Sequence, residues 1–225
     1  IDYAGQKVEV NTPLIGRFNA SNLLAVAAAL VADGVELSRA GAVLATLVAA
    51  PGRMQNVAVD GNAGPRVYVD YAHTPDALAK ALETVRETQP AAMAVVFGCG
   101  GNRDRSKRPQ MGRIAADRAD RVYVTSDNPR NEDPGAIVAD ILDGIPTPAR
   151  ARTVAVVDRS DAIQRAIASA AVGDAILIAG KGHEDYQEVA GVRSPFSDVQ
   201  HARTALLAWR GTGQYDEARG DHVGG

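Results

Sequence analysis

The stretch AMAVVFGCGGNRDRSKRP, residues 92–109, decides the fold. From Ala92 to Phe97 the chain is apolar without alternation, the pattern of a strand buried on both faces. Gly98, Gly100 and Gly101 follow, and then a charged run from Arg103 to Arg108. A buried strand that ends in glycine and charge reads as the start of a βα unit, with its polar loop at the strand's carboxyl end.

The same rhythm recurs on either side. The runs RVYVTS (121–126), TVAVV (153–157) and AILIAG (175–180) read as further strands. Between them, helices are expected over about 109–119, 134–143 and 160–171, with a last one over 197–209. Residues 54–60 and 66–71 read as two strands joined by GNAG, a hairpin signal, and a helix is expected from Thr74 to about Thr88. Apolar strands alternating with helices predict an α/β fold with a mostly parallel sheet covered on both faces. Upstream the rhythm is different. Residues 1–13 alternate around Gly5, which suits a hairpin or a strand end. GRFNASNLLAVAAALVADG (16–34) reads as a helix capped by Asn19 or Ser21 and stopped by Gly34. A second helix fits Ser38 to Ala49. APGR (50–53) reads as a linker, because Pro and Gly break both kinds of element. The expected division is therefore a helical domain end over 1–50, an α/β domain over 51–210, and a polar, Gly-rich, frayed tail over 211–225.

Composition narrows the function. One cysteine among 225 residues excludes an internal disulfide framework and a Cys-rich zinc site. With 24 basic and 27 acidic side chains, broad electrostatic binding to nucleic acid or membrane is not expected. No apolar run reaches the ~18 residues of a membrane span. The chain opens on Ile1, in the middle of a β-like pattern, and is expected to be a piece of a longer protein.

In a parallel sheet, ligands bind at the carboxyl ends of the strands. Four such ends carry DYAHTPDAL (70–78), GCGGNRDRSKRP (98–109), DNPRNEDP (127–134) and GKGHEDYQ (180–187). Together they bring arginines, lysines, carboxylates and two histidines to one edge, a set suited to a small zwitterion: guanidinium forks grip carboxylates, and carboxylates grip ammonium groups. Taken singly, each has a plainer reading. The glycines make a tight βα turn, Arg103 to Arg108 is a solvated loop, His73 precedes a helix opened by Pro75, Asp127-Asn128-Pro129 is a turn, and Lys181 to Glu184 is a salt-bridged loop. The phosphate-binding G-x-x-x-x-G-K-[ST] is absent, and GCGGNR departs from the dinucleotide fingerprint at Arg103. H-E-x-x-H and G-x-S-x-G do not occur.

GRFNASNLLAVAAAL, APGRMQ, DYAHTPDAL, GCGGNRDRSKRPQMG, DNPRNEDP and GKGHEDYQ, in that order, closely resemble the Mur ligases. The DNPR tetrad resembles the form found in members that add meso-diaminopimelate to the peptidoglycan stem peptide. The resemblance runs from about Gly16 to Arg210. It implies a Rossmann-like C-terminal domain that takes the amino acid, preceded by the helical end of a P-loop ATPase domain. It implies cytoplasmic, ATP-dependent amide formation on UDP-N-acetylmuramoyl-L-Ala-D-Glu through an acyl phosphate. The P-loop, the Mg2+ ligands, the modified lysine and the UDP site would lie outside this chain, which is expected to be inactive alone and monomeric.

The resemblance also implies roles for particular residues. Asn22 would read adenine, Arg53 would reach ATP phosphate, Asp70 would hold the ribose, and His73 would line the nucleotide pocket. Arg103, the tetrad Asp127, Asn128, Pro129 and Arg130, with Gly180 and Glu184, would bind meso-diaminopimelate. No catalytic residue and no metal ligand is assigned within the chain. Two alternatives stay open: a related ligase for another amino acid, such as a folylpolyglutamate-type enzyme, and a non-catalytic amino-acid-binding module.

Overall fold

The computed structural model describes residues 1–59 and 64–209. The chain divides into two units, Ile1–Ala50 and Pro51–Gly225.

In the first unit, β1 (Asp2–Tyr3) and β2 (Gln6–Lys7) pair antiparallel. The turn between them, Ala4-Gly5, has positive φ at both residues. Helix α1 (Arg17–Ala32) and helix α2 (Leu37–Leu44) close on Leu23, Ala27 and Leu44. Helix α1 begins earlier than its capping signals implied. Gly16 precedes it, so Asn19 and Ser21 lie inside the helix, where their side chains donate back to the Ile15 and Arg17 carbonyls. A Ser or Asn within the first turns satisfies a local carbonyl as readily as it caps, which defeats the sequence signal. At the other end Gly34, at φ 87°, closes the helix as expected: Gly34 N donates to Val31 O and Val35 N to Leu30 O. That is a Schellman closure, and glycine tolerates its left-handed residue. Helix α2 stops at Leu44, five residues before the expected end.

The second unit runs β3 (Gln55–Val57), β4 (Arg66–Asp70), α3 (Pro75–Glu87), β5 (Met93–Phe97), α4 (Lys107–Arg118), β6 (Arg121–Val124), α5 (Pro134–Leu142), α6 (Thr147–Arg150), β7 (Thr153–Ala155), α7 (Arg159–Ala168), β8 (Ala175–Ala179), β9 (Tyr186–Val189), β10 (Val192–Pro195) and α8 (Asp198–Ala208). Six strands form one sheet in the order β3-β4-β8-β5-β6-β7, parallel throughout except for the β3–β4 pair. Helices α3, α4 and α5 pack on one face, and α7 and α8 on the other. Every residue of β5 and of β8 is buried, as two covered faces require. Val96, Ile176 and Ile178 meet Ile163, Ile167 and Leu206 in one core cluster. Burial of each such side chain stabilises the fold by roughly 1.5–3 kcal/mol.

From β5 the chain moves outward to β6 and β7, and α7 carries it back so that β8 enters between β4 and β5. The order of strands reverses there, which puts the loops after β4, β8, β5 and β6 side by side at one edge.

Several element bounds differ from expectation. Helix α4 starts at Lys107, two residues before Pro109, because a proline also fits the third helical position, where the amide has no intrahelical acceptor. The β9–β10 hairpin was not anticipated. Its turn is Ala190-Gly191, both at positive φ, so the usual Asn-Gly signal is missing. The GNAG connection and the tail fall largely or wholly outside the described residues.

Candidate functional site

The loops at this edge approach one another closely, and glycine is what allows it. A Cβ on Gly98 would lie 2.2 Å from the Thr125 carbonyl oxygen, and one on Gly101 would lie 1.9 Å from that of Pro129. Gly101 N donates to Asn128 O (2.9 Å), and Asn131 N donates to Asn102 Oδ1 (3.1 Å). The loops after β5 and β6 therefore form one laced unit. Arg130 sits on it at φ 53°, a left-handed conformation uncommon for a residue with a side chain. Its backbone is held on both sides, with Arg130 N donating to Glu188 O (3.0 Å) and Ala190 N to Arg130 O (2.6 Å). Its guanidinium Nη1 donates to Gly101 O (2.9 Å) and Asn128 O (3.5 Å).

The loop after β8 adds the next layer. Lys181 is completely buried, and its Nζ lies 2.9 Å from Asn128 Oδ1, 3.5 Å from Glu184 Oε2 and 3.9 Å from Asp127 Oδ1. Asn128 Nδ2 donates to Glu184 Oε2 (2.8 Å). Burial pushes the Asp127 carboxyl up from its ordinary value, against the pull of Arg159 and Lys181. Burial likewise pushes the Lys181 ammonium down, against Asp127 and Glu184. Gly180, at φ 121°, leaves room for Asp127: a Cβ there would fall 2.5 Å from Oδ2.

A second cluster lies where the loops after β4 and β8 meet the Pro51–Met54 segment. Asp70 Oδ2 accepts from Met54 N (2.8 Å), and burial raises the carboxyl above its usual range despite the backbone amides of Met54 and Ala72 and the nearby Arg53. The Arg53 guanidinium stacks over the Tyr71 ring at 5.1 Å, and the rings of His73 and His183 lie 4.6 and 5.3 Å from that ring. His73 is exposed just before the Thr74 cap of α3. Gly52 packs against Gly182 and His183, so the segment read as a linker is seated within the second unit.

Arg53, Asp70 and His73 come together in one cluster. Asp127, Asn128, Pro129, Arg130, Gly180 and Glu184 come together in the other. Arg103 is exposed beside Asn102, and no hydrogen bond or ion pair joins it to another described residue. Asn22 is exposed on α1 of the first unit.

The family model of the Mur ligase glutamate ligase domain matches residues 52–182. The chain belongs to the Mur ligase family. It is 55% identical over 204 residues to the UDP-N-acetylmuramoyl-L-alanyl-D-glutamate–2,6-diaminopimelate ligase of Chromobacterium violaceum, covering 90% of this chain and 40% of that protein. The ligase of the same name from Pseudomonas aeruginosa is 51% identical, with 89% and 40% covered. A solved structure of a ligase of this name is 45% identical and superposes at a TM-score of 0.72, covering 88% of this chain and 40% of that one. The chain thus spans about two fifths of the length of these Mur ligase relatives.

Three side chains of this Mur ligase domain escaped the sequence reading as builders of the site. Arg159 is buried at the start of α7, where it grips Asp198 through two 2.8 Å bonds and donates to the carbonyls of Ser126 (3.2 Å) and Ala179 (3.0 Å). It ties together the strand ends that lead into Asp127 and Gly180. Arg108, also buried, bonds Glu132 and Asp140 (2.9 Å each), and Glu132 in turn accepts from Asn102 N. Lys181 was legible only as a possible salt-bridge partner. Cys99 sits nearby, but burial pushes its thiol up to about 12, which keeps it protonated and inert.

Proposed function

We propose that this chain is the C-terminal part of an ATP-dependent ligase that adds meso-diaminopimelate to UDP-N-acetylmuramoyl-L-Ala-D-Glu. Residues 1–50 would belong to its ATPase domain, and residues 51–210 would form the amino-acid-binding domain. The relatives named above, about half identical over nearly all of this chain, support the reading. The observation that carries it is the seating of Arg130. Its left-handed backbone is fixed on both sides, and one guanidinium nitrogen is pinned to Gly101. Nε and Nη2 form the remaining fork, which matches a carboxylate. meso-Diaminopimelate carries a distal carboxylate that lysine lacks. Arg103, unpaired among the described residues, suits a second carboxylate. Glu184 and the Gly180 carbonyl suit an ammonium.

The other cluster fits a nucleotide. The Asp70 carboxylate, braced by backbone amides, suits ribose hydroxyls, Arg53 suits a phosphate, and His73 stands beside them. Asn22, exposed on α1, keeps its adenine role within the same proposal. When bound, ATP supplies the phosphoryl group that activates the substrate carboxylate. The contribution of these residues is to position and orient. Among the described residues no group of three or more His, Cys, Asp or Glu side chains gathers as a metal site.

The test is an NMR titration of this chain with meso-diaminopimelate, with L-lysine as control. Shifts at Arg103, Asn128, Arg130 and Glu184 with diaminopimelate alone are expected. Arg130→Ala should erase the preference, worth roughly 2–5 kcal/mol for a desolvated charge pair. Equal response to the two amino acids, or no response in either this chain or the full-length protein, overturns the substrate.

A further inference from the structure

Asn128 faces two donors with one atom. Its Oδ1 accepts from Lys181 Nζ (2.9 Å) and from Glu188 N (3.0 Å). An ammonium and a backbone amide can only donate, so this oxygen has to point at them. The flipped amide would put an NH2 group against two donors. Lys181, together with the Glu188 amide, therefore fixes which way the amide faces, and Nδ2 is turned toward Glu184, with one hydrogen on Oε2 and a second left to offer. Lys181 holds the same Glu184 oxygen at 3.5 Å. The result is an ordered pair: an amide donor for a carboxylate beside a carboxylate oxygen, Oε1, for an ammonium.

Lys181 cannot touch a ligand itself. Its side chain has no exposed surface. The rings of Tyr186 and Phe196 lie 5.6 and 6.0 Å from Nζ. The remaining charges around it are Asp127 at 3.9 Å and, further in, the Arg159–Asp198 pair. Anything it does for binding passes through Asn128 and Glu184.

We propose that Lys181 is a positioning residue for the incoming amino acid, orienting the Asn128 amide and the Glu184 carboxylate so that the site tells carboxylate from ammonium. This rests on the reading of the chain as the acceptor-binding part of a ligase. It adds a specificity determinant that never meets the substrate.

The experiment uses the full-length ligase that carries this segment. Lys181→Met keeps the length of the side chain and removes its donors. The expected result is a KM for meso-diaminopimelate raised ~30-fold or more, the lower end for removing one partner of a buried charge pair, with the KM for ATP unchanged. Because Lys181 acts through Asn128 as well as Glu184, Lys181→Met placed on Asn128→Ala should raise that KM by clearly less than it does on its own. A fall in thermal stability and kcat with the diaminopimelate KM unchanged would make Lys181 a structural staple and overturn the proposal. So would fully additive effects in the double variant. If Lys181→Met does not fold, the Asn128 side-chain amide of the wild-type protein is read instead by NMR. One exchange-protected proton, the one on Glu184, supports the fixed orientation, and a pair that both exchange fast refutes it. A wild-type enzyme that does not use meso-diaminopimelate removes the functional reading and this proposal together. A wild-type enzyme that uses it, with Lys181→Met unaffected, removes this proposal alone.

Discussion

Gly101→Ala separates the geometry of the laced loops from the chemistry of Arg130. The added Cβ would stand 1.9 Å from the Pro129 carbonyl oxygen and 2.7 Å from its carbon, against a floor of 3.0 Å for real contacts. The obstacle is backbone, so the loops after β5 and β6 have to part by about 1 Å, more than a well-packed site absorbs without cost. That displacement stretches the Gly101–Asn128 and Arg130–Gly101 hydrogen bonds, now 2.9 Å each, beyond useful length. Two lost hydrogen bonds and the crowding together cost about 2–4 kcal/mol. In urea this appears as a fall in midpoint of roughly 1 M or more. Titration with meso-diaminopimelate should then show weakened binding. Gly100→Ala is the matched control. Its Cβ would meet Arg130 Nη1 at 2.9 Å, a side-chain atom rather than backbone, so it should shift the guanidinium and its bond to Gly101 with less loss of stability than Gly101→Ala. If Gly101→Ala leaves both the midpoint and the affinity at wild-type values, the loops are not held as described.

Arg159→Met leaves Asp198 buried without its partner and should cost about 3–5 kcal/mol in urea unfolding, while Arg159→Met with Asp198→Leu recovers most of it; a double variant no better than the single one would refute this. Hydrogen bonds from Arg108 hold the Glu132 and Asp140 carboxyls below their ordinary range, with Asn102 N adding to the first and Arg105 to the second. Carboxylates of lowered pKa contribute stability that is complete above the usual range and fades as pH falls through the lowered values. The advantage of wild type over Arg108→Met should therefore be full at neutral pH and shrink below about pH 5, and a gap constant down to pH 3 would count against the assignment.

The layered α/β architecture was legible because β5 and β8 have no polar residue to place on a wet face. The gathering of the four loops was legible because polar, Gly-rich segments follow those strands. The insertion of β8 between β4 and β5 was not, since a parallel neighbour in space leaves no trace in chain order. The β9–β10 hairpin was hidden by an alanine at a turn position that usually shows asparagine. Arg159 and Arg108 were hidden because burial of a guanidinium depends on carboxylates 39 and 24 residues away, Asp198 and Glu132. Within GKGHE, the sequence did not reveal which residue was wholly enclosed. Lys181 is, and that made the difference between a solvated loop and an organising charge.

Residues 180–184 are divided between two duties. Lys181 and Glu184 serve the Asn128 side of the edge, while Gly182 and His183 press against Tyr71 and Gly52 on the Asp70 side. The stretch is therefore not a cassette. An engineer who exchanges it wholesale with a relative also rewrites the surface beside Arg53 and Asp70. A transplant that edits only Lys181 and Glu184 and keeps the glycine and histidine between them leaves that surface intact.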